Sequence, residues 1–594
     1  MNVSDFIVKF LEDEGIKNIF TVSGGGSIFL CDALYRAKKI KYICNHHEQA
    51  VAMAAEGYAR CSEKIGASIV TTGPGGTNSI TGTACCWIDS VPTITISGQV
   101  FLNQTIGRTG LRQLGVQEIN IIDIVKPITK YSVMITDPLS IKYHLEKALF
   151  IATNGRPGPV WIDVPANIQN SNIEIKKLKS FKINNINNEF KIKSPSKKNI
   201  NKIIKLLSKC QRPIIHVGHG VKLANAKNEL LKFIEKNNLP VATSWNGSDL
   251  IHNEHKLYIG RPGTFASRAP NFAIQKCDLY ISIGTRLPYA ITGYDSKDYA
   301  REAYKIMIDV DKTELNKKSL KIDLKIVSDA KEFLKSINQK KLKNIKKFNK
   351  WIKICKNWNK KYPIIDPKYK YQKNSVNSYY FIDELSKILK QSSIIITDMG
   401  LSFVGTYQSF RIKKGQKIFT NSGHAPMGWG LPASIGACLA ERRKKTILLT
   451  GEGGLQMNIQ ELATIMHEKL PIKIFIYNNG GYLTIKQTQQ LGFKNRIMGS
   501  DENSGISFPS YEKIAKSHEI DYLLIESHKQ MTKKIKNFLK SDTPGICELI
   551  LDNEQPQVPK AINKRLKDGT IEPSRLDDLY PFLDPKELRK TLDV

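Results

Sequence analysis

Oxygen-bearing side chains follow two apolar runs in the last third of the chain. Residues 446–450 are apolar and end in Gly451-Glu452-Gly453-Gly454, and a later apolar run ends in Asn478-Asn479. A Gly-rich turn between a strand and a helix presents backbone N–H groups and a helix N-terminus to an anion, usually a phosphate. Glu452 and Asn479 add two hard oxygen ligands, which suit Mg²⁺. The pattern therefore predicts a diphosphate held through Mg²⁺.

A βαβ unit is needed to bring these side chains together. Residues 446–450 predict the first strand, and the run before Asn478 predicts the second. The helix between them has a start signal, because Asn458 can cap it and Glu461 lies three residues later, where it can reach back to the cap. Glycine turns and Asn pairs also close ordinary strands, so this motif alone leaves a purely structural interpretation open.

Further blocks of unusual composition occur elsewhere in the chain. Residues 45–60 form an apolar, helix-like segment with Glu48 near its start. The other blocks are short: Thr71-Thr-Gly-Pro-Gly-Gly-Thr-Asn78, Asp89-Ser-Val-Pro92, Gly98-Gln-Val100 and Gly423-His-Ala-Pro-Met-Gly-Trp-Gly430. In this order, over nearly the whole chain, the blocks resemble the thiamine diphosphate (ThDP) enzymes and, within them, the acetolactate (acetohydroxyacid) synthase-like branch.

The resemblance implies an α/β fold with three doubly wound parallel-sheet domains. Alternating short apolar strands and helical segments agree with that class. Two stretches rich in Lys, Asn and Ile separate the domains. The predicted organisation is a pyrimidine-binding domain at 1–170, a basic linker at 171–195, a central α/β domain at 196–340, a second basic linker at 341–372, a diphosphate-binding domain at 373–555 and a non-catalytic C-terminal extension at 556–594.

The resemblance also assigns roles to individual residues. Glu48 matches the acid that hydrogen-bonds ring nitrogen N1′ of the cofactor and favours its imino tautomer, and we expect it to be buried. Met427 matches the hydrophobic residue that wedges between the two cofactor rings. Gln117 lies where the family places a polar residue near the reacting carbonyl, which makes it a catalytic candidate, although a surface glutamine would look the same.

The remaining candidates bind the cofactor or the metal. On the pyrimidine side the resemblance implies contacts from Ser23, Gly24, Gly25, Gly73, Pro74 and Asn78. On the diphosphate side it implies contacts from Met399, Gly400, Leu401, Ser402, Gly428, Gly453, Gly454 and Asn479. The implied metal ligands are Glu452, Asn479 and the carbonyl of Gly481. Two positions depart from the family pattern. Ser23 occurs where relatives often have Pro, and Glu452 where they usually have Asp. Because Glu is longer than Asp, the way in which Glu452 would coordinate the metal is not fixed by the resemblance.

Composition limits the partners and the location. The 594 residues carry a formal charge of +34, but the lysines concentrate in the two Asn-rich stretches, without the aromatic and Arg pattern that nucleic-acid stacking needs. We therefore expect a solvated basic surface and no nucleic-acid partner. The ten cysteines form no CxxC pair, and no apolar run reaches membrane-spanning length. These features predict a soluble cytoplasmic protein with reduced thiols and no membrane partner.

The predicted function is that of a ThDP- and Mg²⁺-dependent carboligase. It would decarboxylate a 2-keto acid, most simply pyruvate, and transfer the acyl unit to a carbonyl acceptor. Thr488 occupies about the position of an acceptor-pocket aromatic, which makes this pocket more polar, and Lys486 could contact an anion. The alternatives are a simple 2-keto acid decarboxylase or C–C hydrolase on the same scaffold, or a non-catalytic ThDP-fold binding protein.

Two expectations concern a second cofactor and assembly. Gly218, Gly220 and Arg286 fall at turns comparable to those of flavin-binding relatives, so FAD in the central domain is an open alternative. Glu48 and the diphosphate motif lie about four hundred residues apart, yet one small cofactor must touch both. The resemblance implies that they meet between two chains, in a homodimer or homotetramer.

Overall fold

Three large parallel sheets organise the chain. The computed structural model describes residues 1–183, 190–342, 345–565 and 568–594. Within these ranges each large sheet has six strands, all parallel, with helices packed around them. The predicted α/β class with three doubly wound sheets is confirmed. No helix in the same ranges is long and apolar enough to cross a membrane.

The first sheet lies within the first 170 residues. Its strands are β1 (Asn18–Thr21), β2 (Lys41–Cys44), β3 (Gly66–Val70), β4 (Thr93–Gln99), β5 (Tyr131–Met134) and β6 (Val160–Pro165), in the spatial order β2-β1-β3-β4-β6-β5. Its helices are α1 (Val3–Asp13), α2 (Ile28–Arg36), α3 (Glu48–Ser62), α4 (Pro74–Asn78), α5 (Ile80–Asp89), α6 (Ile121–Val125), α7 (Ile141–Thr153) and α8 (Ala166–Gln169). Strands β3, β4 and β6 are buried along their whole length, as central parallel strands require.

The second sheet has a different topology. Its strands are β7 (Pro213–Val217), β8 (Val241–Thr243), β9 (Tyr258–Gly260), β10 (Leu279–Ile283), β11 (Tyr304–Asp309) and β12 (Leu324–Val327), in the order β12-β11-β10-β7-β8-β9. Its helices are α9 (Lys197–Lys209), α10 (His219–Leu223), α11 (Lys227–Asn237), α12 (Arg268–Lys276), α13 (Tyr289–Thr292), α14 (Lys312–Leu315), α15 (Ala330–Asn338) and α16 (Asn349–Lys361).

Helix α16 occupies much of the second predicted linker. It buries Trp351, Cys355 and Trp358 in the central-domain core, and Trp358 meets Phe272 edge to face with the ring centroids 5.8 Å apart. Of the lysines between these residues, Lys353 is exposed and Lys356 is half-buried. The basic composition therefore reflects the solvated side of an amphipathic helix. Residues 184–189 of the first predicted linker and 343–344 of the second lie outside the described residues.

The third sheet and the tail complete the chain. The strands are β13 (Ile394–Thr397), β14 (Lys417–Phe419), β15 (Thr446–Gly451), β16 (Ile472–Asn478), β17 (Asp521–Ile525) and β18 (Gly545–Ile550), in the order β14-β13-β15-β16-β18-β17. The helices are α17 (Ser378–Ile388), α18 (Leu401–Ser409), α19 (Gly430–Ala440), α20 (Glu452–Gln456), α21 (Glu461–His467), α22 (Leu483–Gly492), α23 (Tyr511–Ser517) and α24 (Met531–Phe538). The tail contains an antiparallel pair, β19 (Asn563–Arg565) and β20 (Ile571–Pro573), and helix α25 (Pro585–Leu592).

The first and third sheets have the same strand order, and equivalent helices join them. Helix α3 follows β2, α19 follows β14, and the two helices pack against each other. A Cβ on Gly57 would lie 2.2 Å from the Ala433 carbonyl oxygen, and a Cβ on Gly436 would lie 1.9 Å from the Ala54 carbonyl oxygen. Only glycine fits at these two positions, so the helix backbones touch.

Candidate active site

Glu48 lies at the carboxyl edge of the first sheet. It is the first residue of α3, and the Asn78 side chain at the end of α4 donates a 2.9 Å hydrogen bond from Nδ2 to Glu48 Oε2. The rest of the carboxylate faces a half-open site, because Glu48 is only partly buried in the single chain. The expectation of a buried Glu48 is therefore wrong for one chain on its own, since the start of α3 lies at the open edge of the sheet.

Two Gly-rich turns meet beside Glu48. The turn after β1 contains the exposed residues Ser23 and Gly25, and a Cβ on Gly24 would lie 2.6 Å from the Thr71 side chain. The turn after β3 contains Gly73, with φ +61°, and Pro74 at the first position of α4. The predicted pyrimidine-side residues thus share one edge of the first sheet.

Gln117 reaches this edge through its backbone. Its carbonyl oxygen would lie 2.3 Å from a Cβ on Gly73, which explains glycine there. Gln117 itself adopts a left-handed φ of +63°, and its side chain is exposed. A non-glycine residue in this region is strained, and such residues concentrate at functional sites. The predicted catalytic candidate therefore adjoins the Gly73 turn, with its amide free to point into the open site.

The turn after β13 surrounds a buried carboxylate. Asp398 accepts hydrogen bonds from the backbone N–H groups of Met399 at 2.8 Å and Gly428 at 3.1 Å, and from Thr450 Oγ1 at 3.1 Å. Burial raises the pKa of Asp398 to about 6, although these bonds oppose the rise. Asp398 therefore joins three strand-end loops of the third sheet.

The predicted diphosphate contacts next to Asp398 are used in different ways. Gly400 has φ +85° and precedes α18, so its backbone faces the strand-end edge. The Leu401 side chain belongs to the hydrophobic core, and the Ser402 hydroxyl donates to the carbonyls of Asp398 and Met399. Contact with an anion from these two residues is therefore limited to the backbone, while the half-buried Met399 can still approach a ligand.

The loop before α19 carries Met427 at the same edge. Met427 is half-buried, and Gly428 has φ +85°. Asn458 donates from Nδ2 to the Gly428 carbonyl oxygen at 2.8 Å. The predicted helix cap at Asn458 is therefore wrong. Helix α20 begins directly at Glu452, and α21 begins at Glu461 behind Gln460.

Glu461 also has a different partner from the one predicted. Its carboxylate accepts from Asn45 Nδ2 at 2.8 Å and from the His46 backbone N–H at 2.9 Å. These residues lie just before α3, so Glu461 links the third domain to the first rather than closing its own helix. The spacing of Asn458 and Glu461 suggested a capping box, but Glu461 forms its hydrogen bonds with Asn45 and His46 instead.

Gly453 and Gly454 lie at the start of α20, under two side chains. A Cβ on Gly454 would lie 2.5 Å from Asp398 Oδ2, and a Cβ on Gly453 would lie 1.9 Å from Cε1 of Tyr482. Tyr482 therefore covers the predicted anion turn in the single chain, and its ring meets Phe508 edge to face. Tyr482 is a site residue that sequence reasoning missed. An aromatic residue directly after the Asn-Gly-Gly turn was the available signal.

Glu452 and Asn479 come together as predicted for metal ligands. The Glu452 carboxylate accepts the backbone N–H groups of Asn479 and Gly480, each at 3.0 Å. Burial raises the pKa of Glu452 to about 7 against the effect of these bonds. The longer Glu side chain thus reaches the backbone of the neighbouring strand end.

The donor set at this point fits a hard divalent cation. Asn479 Oδ1 is buried and has no hydrogen-bond partner among the described residues, which is costly unless a ligand satisfies it. Gly481, with φ +149°, pairs with Asp501 in a short bridge and leads into α22. Across the described ranges no group of three or more His, Cys, Asp or Glu side chains could hold a metal ion. The candidate ligands here include only one such side chain, the Glu452 carboxylate. The other two are the Asn479 amide oxygen and the Gly481 backbone carbonyl.

The two candidate acceptor residues are already engaged. Lys486 Nζ lies 3.4 Å from Asp501 Oδ2 and 3.3 Å from Glu554 Oε1, so two carboxylates balance its charge. Thr488 is exposed, and its hydroxyl donates to the Thr484 carbonyl oxygen. Neither side chain offers a free group to an anionic substrate in this arrangement.

A cavity of about 730 Å³ lies between the central domain and its neighbours. Gly218, Gly220 and Arg286 all line its edge or support it, but the glycines serve packing. A Cβ on Gly218 would lie 2.4 Å from the Gly284 carbonyl oxygen, which also accepts the Gly220 N–H at 2.9 Å. The glycines therefore let two strand-end turns touch and give no independent signal for a flavin.

Comparison with known proteins agrees with this arrangement. Models of thiamine pyrophosphate enzymes match three stretches: the N-terminal TPP binding domain at residues 1–124, the central domain at 200–337 and the C-terminal TPP binding domain at 398–549. The chain therefore belongs to the thiamine diphosphate-dependent enzyme family.

Full-length relatives define the branch. The chain is 33% identical to the probable acetolactate synthase large subunit of Methanocaldococcus jannaschii, with 100% of this chain and 99% of that protein covered. It is 34% identical to the probable large subunit of Methanococcus aeolicus, over 93% and 92% of the two chains. It is 32% identical to the acetolactate synthase large subunit of Cyanidium caldarium, over 93% and 94%. The protein is thus an acetolactate synthase-like, ThDP-dependent enzyme.

Proposed function

We propose that this enzyme decarboxylates pyruvate in a Mg²⁺-dependent reaction and joins the acyl unit to a carbonyl acceptor. When bound, ThDP supplies the carbon nucleophile and electron sink for both steps. The observation that carries the proposal is the pairing of an accessible carboxylate, Glu48, with a strand-end anion turn that has the unpartnered Asn479 Oδ1 beside it. These are the two ends of one elongated, anionic cofactor.

Each proposed role follows from the contacts of this chain. Asn78 orients Glu48, which is then free to share a proton with ring nitrogen N1′ of the cofactor. Asn479 Oδ1, the Gly481 carbonyl and Glu452 would hold the metal, with Glu452 limited by the two N–H bonds that it already accepts. Asp398 fixes the Gly428 and Thr450 loops around the diphosphate turn.

The donor and the acceptor have different support. Pyruvate is proposed because the relatives are named acetolactate synthases, and acetolactate is formed by joining two pyruvate units with loss of CO₂. For the acceptor we propose either another keto acid or a bulkier polar ketone, such as a keto sugar attached to a nucleotide. Lys486 gives no support to an anionic acceptor, since Asp501 and Glu554 neutralise it.

We also propose that the active unit is a homodimer or a homotetramer built from such dimers. Large exposed apolar side chains cluster in the two segments that flank the site: Phe101, Leu111, Leu114 and Val116 after β4, and Ile485, Leu491, Phe493 and Met498 on and after α22. Exposed apolar side chains concentrated in this way favour an interaction site. A second copy would cover it and close the half-open edge at Glu48.

Of the proposed cofactors, FAD has the least support. The cavity beside Arg286 offers about 730 Å³, but its glycine turns are explained by packing. Flavin absorbance of the purified enzyme, before and after denaturation, tests it directly.

The main experiment is product analysis by mass spectrometry. Pyruvate alone should give acetolactate with a carboligase and acetaldehyde with a simple decarboxylase, and a panel of keto acids and keto sugars identifies the acceptor. Glu48→Gln serves as the inactive control. Acetaldehyde as the sole product, with every acceptor tested, would overturn the carboligase proposal in favour of the decarboxylase.

A further inference from the structure

A cluster of three charged side chains is buried in the first domain. Arg60 on α3 donates from Nε and Nη2 to Glu56 Oε1, at 2.9 and 2.7 Å, and from Nη2 to Asp89 Oδ2 at 2.7 Å. The exposed fraction of each of these side chains is 2% or less. Burial opposes the charge, yet Glu56 and Asp89 raise the pKa of Arg60 above its ordinary value. Buried charges need complete sets of partners, so the other contacts of this cluster matter.

The remaining partners come from the other two domains. Trp429 Nε1 donates to Glu56 Oε2 at 2.6 Å, and Asn421 Nδ2 donates to Glu56 Oε1 at 2.9 Å. From the central domain, Asn246 Nδ2 donates to Asp89 Oδ2 at 3.2 Å, and Arg286 Nη2 lies 3.4 Å from Asp89 Oδ1. The cluster therefore joins all three domains at one buried point.

The third-domain partners lie at the two ends of the loop 421–429, which carries Met427. Asn421 connects the cluster to the loop backbone, because its Oδ1 accepts the N–H groups of His424 at 3.2 Å and Ala425 at 3.1 Å. Ala425 has φ +58°, a conformation that costs energy for a residue with a Cβ and needs support. At the far end, Trp429 binds the same Glu56 carboxylate.

The start of the loop has no room to shift. A Cβ on Gly423 would lie 2.3 Å from Asp89 Oδ1, and the Ser422 N–H donates to Asp89 Oδ2 at 3.2 Å. Hydrogen bonds to ionised groups in a water-free interior are stronger than those at the surface. The loop is thus held at both ends by one carboxylate pair on the first domain.

We propose that Asn421, held by the buried Glu56–Arg60–Asp89 cluster, is a positioning residue that sets the loop 421–429 so that Met427 stands against the bound cofactor. The inference rests on the proposed function, because it assigns the loop to a ThDP site. Asn421 acts through the loop backbone and does not touch the reacting atoms.

The test compares two buried asparagines with matched hydrogen bonding. Asn421→Leu removes three hydrogen bonds at the loop, whereas Asn271→Leu in the central domain removes three hydrogen bonds, two to Gly263 and one to Leu576 of the C-terminal extension. Both residues are fully buried. The measurements are the melting temperature without cofactor, ThDP affinity at saturating Mg²⁺ by calorimetry, and near-ultraviolet circular dichroism of the bound cofactor.

Both variants should melt at lower temperature than wild type. Only Asn421→Leu should bind ThDP about tenfold more weakly and alter the circular dichroism of the bound cofactor, because only it frees the loop. If both variants bind ThDP with equal affinity and give the same spectrum, Asn421 is merely structural and the inference is wrong.

A second, milder variant keeps the inference testable if Asn421→Leu fails to fold. Trp429→Phe keeps an aromatic ring and removes one hydrogen bond to Glu56, so it should shift the same two ligand readouts in the same direction, by about fivefold in affinity. Unchanged affinity in this variant also counts against the inference. A wild-type enzyme that binds no ThDP refutes the proposed function and the inference together, whereas normal wild-type binding with unaffected variants refutes the inference alone.

Discussion

Asp163 should make the stability of the enzyme depend on pH in an unusual direction. The residue lies on β6 with 1% of its surface exposed, and it accepts from Ser97 Oγ at 2.6 Å and Gln99 Nε2 at 3.1 Å. Burial raises its pKa from the ordinary value of 3.8 to about 7, although both hydrogen bonds oppose the rise. Gln99 in turn accepts from Thr72 Oγ1 beside the Gly73 turn, so Asp163 lies under the candidate site.

The sign follows from the number of bound protons. Between pH 4 and 7 the folded protein holds a proton on Asp163 that the unfolded chain has lost, so stability falls as pH rises through this window. A shift of about three pKa units corresponds to about 4 kcal/mol at about 1.4 kcal/mol per unit. The contribution is fully present below about pH 4 and fully lost above about pH 7.

Asp163→Asn removes this titration while keeping the hydrogen bonds. The amide oxygen can accept from Gln99 Nε2, and the amide N–H can donate to Ser97 Oγ once the Ser97 hydroxyl, which donates to Asp163 in the wild type, rotates away. Relative to wild type, the variant should therefore gain up to about 4 kcal/mol between about pH 4 and 7, measured as urea denaturation midpoints at several pH values. The exposed Asp542→Asn should show no gain in that window. Parallel pH profiles for wild type and Asp163→Asn would refute the reasoning.

Four further outcomes are expected at the site and at the domain contact. Glu48→Gln should lower turnover at least about a hundredfold with an unchanged melting temperature, because Asn78 can still bind the amide oxygen. Chelation of Mg²⁺ should release ThDP and lower the melting temperature, and Asn479→Ala should do the same with Mg²⁺ present. Mixing inactive Glu48→Gln and Asn479→Ala chains should restore activity at one of two sites per heterodimer. Gly436→Ala should destabilise the enzyme by about 1–3 kcal/mol, measured in urea, because its Cβ would lie 1.9 Å from the Ala54 carbonyl oxygen.

Each of these expectations has an opposite outcome that would decide against it. Near-normal turnover of Glu48→Gln would remove its proposed proton role, and ThDP affinity indifferent to chelation would remove the metal. Mixed chains that form heterodimers but stay inactive would place the whole site within one chain. A Gly436→Ala enzyme with unchanged stability would mean that α3 and α19 have room to separate, in which case Gly57→Ala should also be tolerated.

Much of the fold was predictable because its strands are short apolar runs bounded by turn residues. Residues 446–450 were predicted as a strand, and they correspond to β15 almost residue for residue. The edge at which the Gly-rich turns meet follows from the parallel arrangement alone, since ligands bind at the carboxyl ends of such strands. Glu452 and Asn479 could therefore be predicted from the sequence to lie at the same edge of one sheet.

The wrong cap prediction and the two missed residues, Asn421 and Tyr482, involve partners from other elements. The pattern of Asn458 and Glu461 predicted a local cap, but the first binds Gly428 and the second binds the segment before α3. Asn421 carries no local signal of its importance, and Tyr482 carries only a weak one, because each acts on a residue from another element. The spacing of residues along one helix or strand predicts which side chains share a face. Which partners those side chains bind depends on how the elements pack together.

The contact between α3 and α19 has a consequence for how the chain matures on the ribosome. Gly57 meets residue 433, so the two surfaces are separated by nearly 380 residues of chain. At about 5–20 residues per second, synthesis of that intervening chain takes about 20–75 s. Throughout this time the face of α3 that contacts α19, which includes Ala54 and Gly57, stays uncovered. The nascent enzyme is therefore most prone to aggregation before its last domain emerges, and a chaperone that binds early would act on this face.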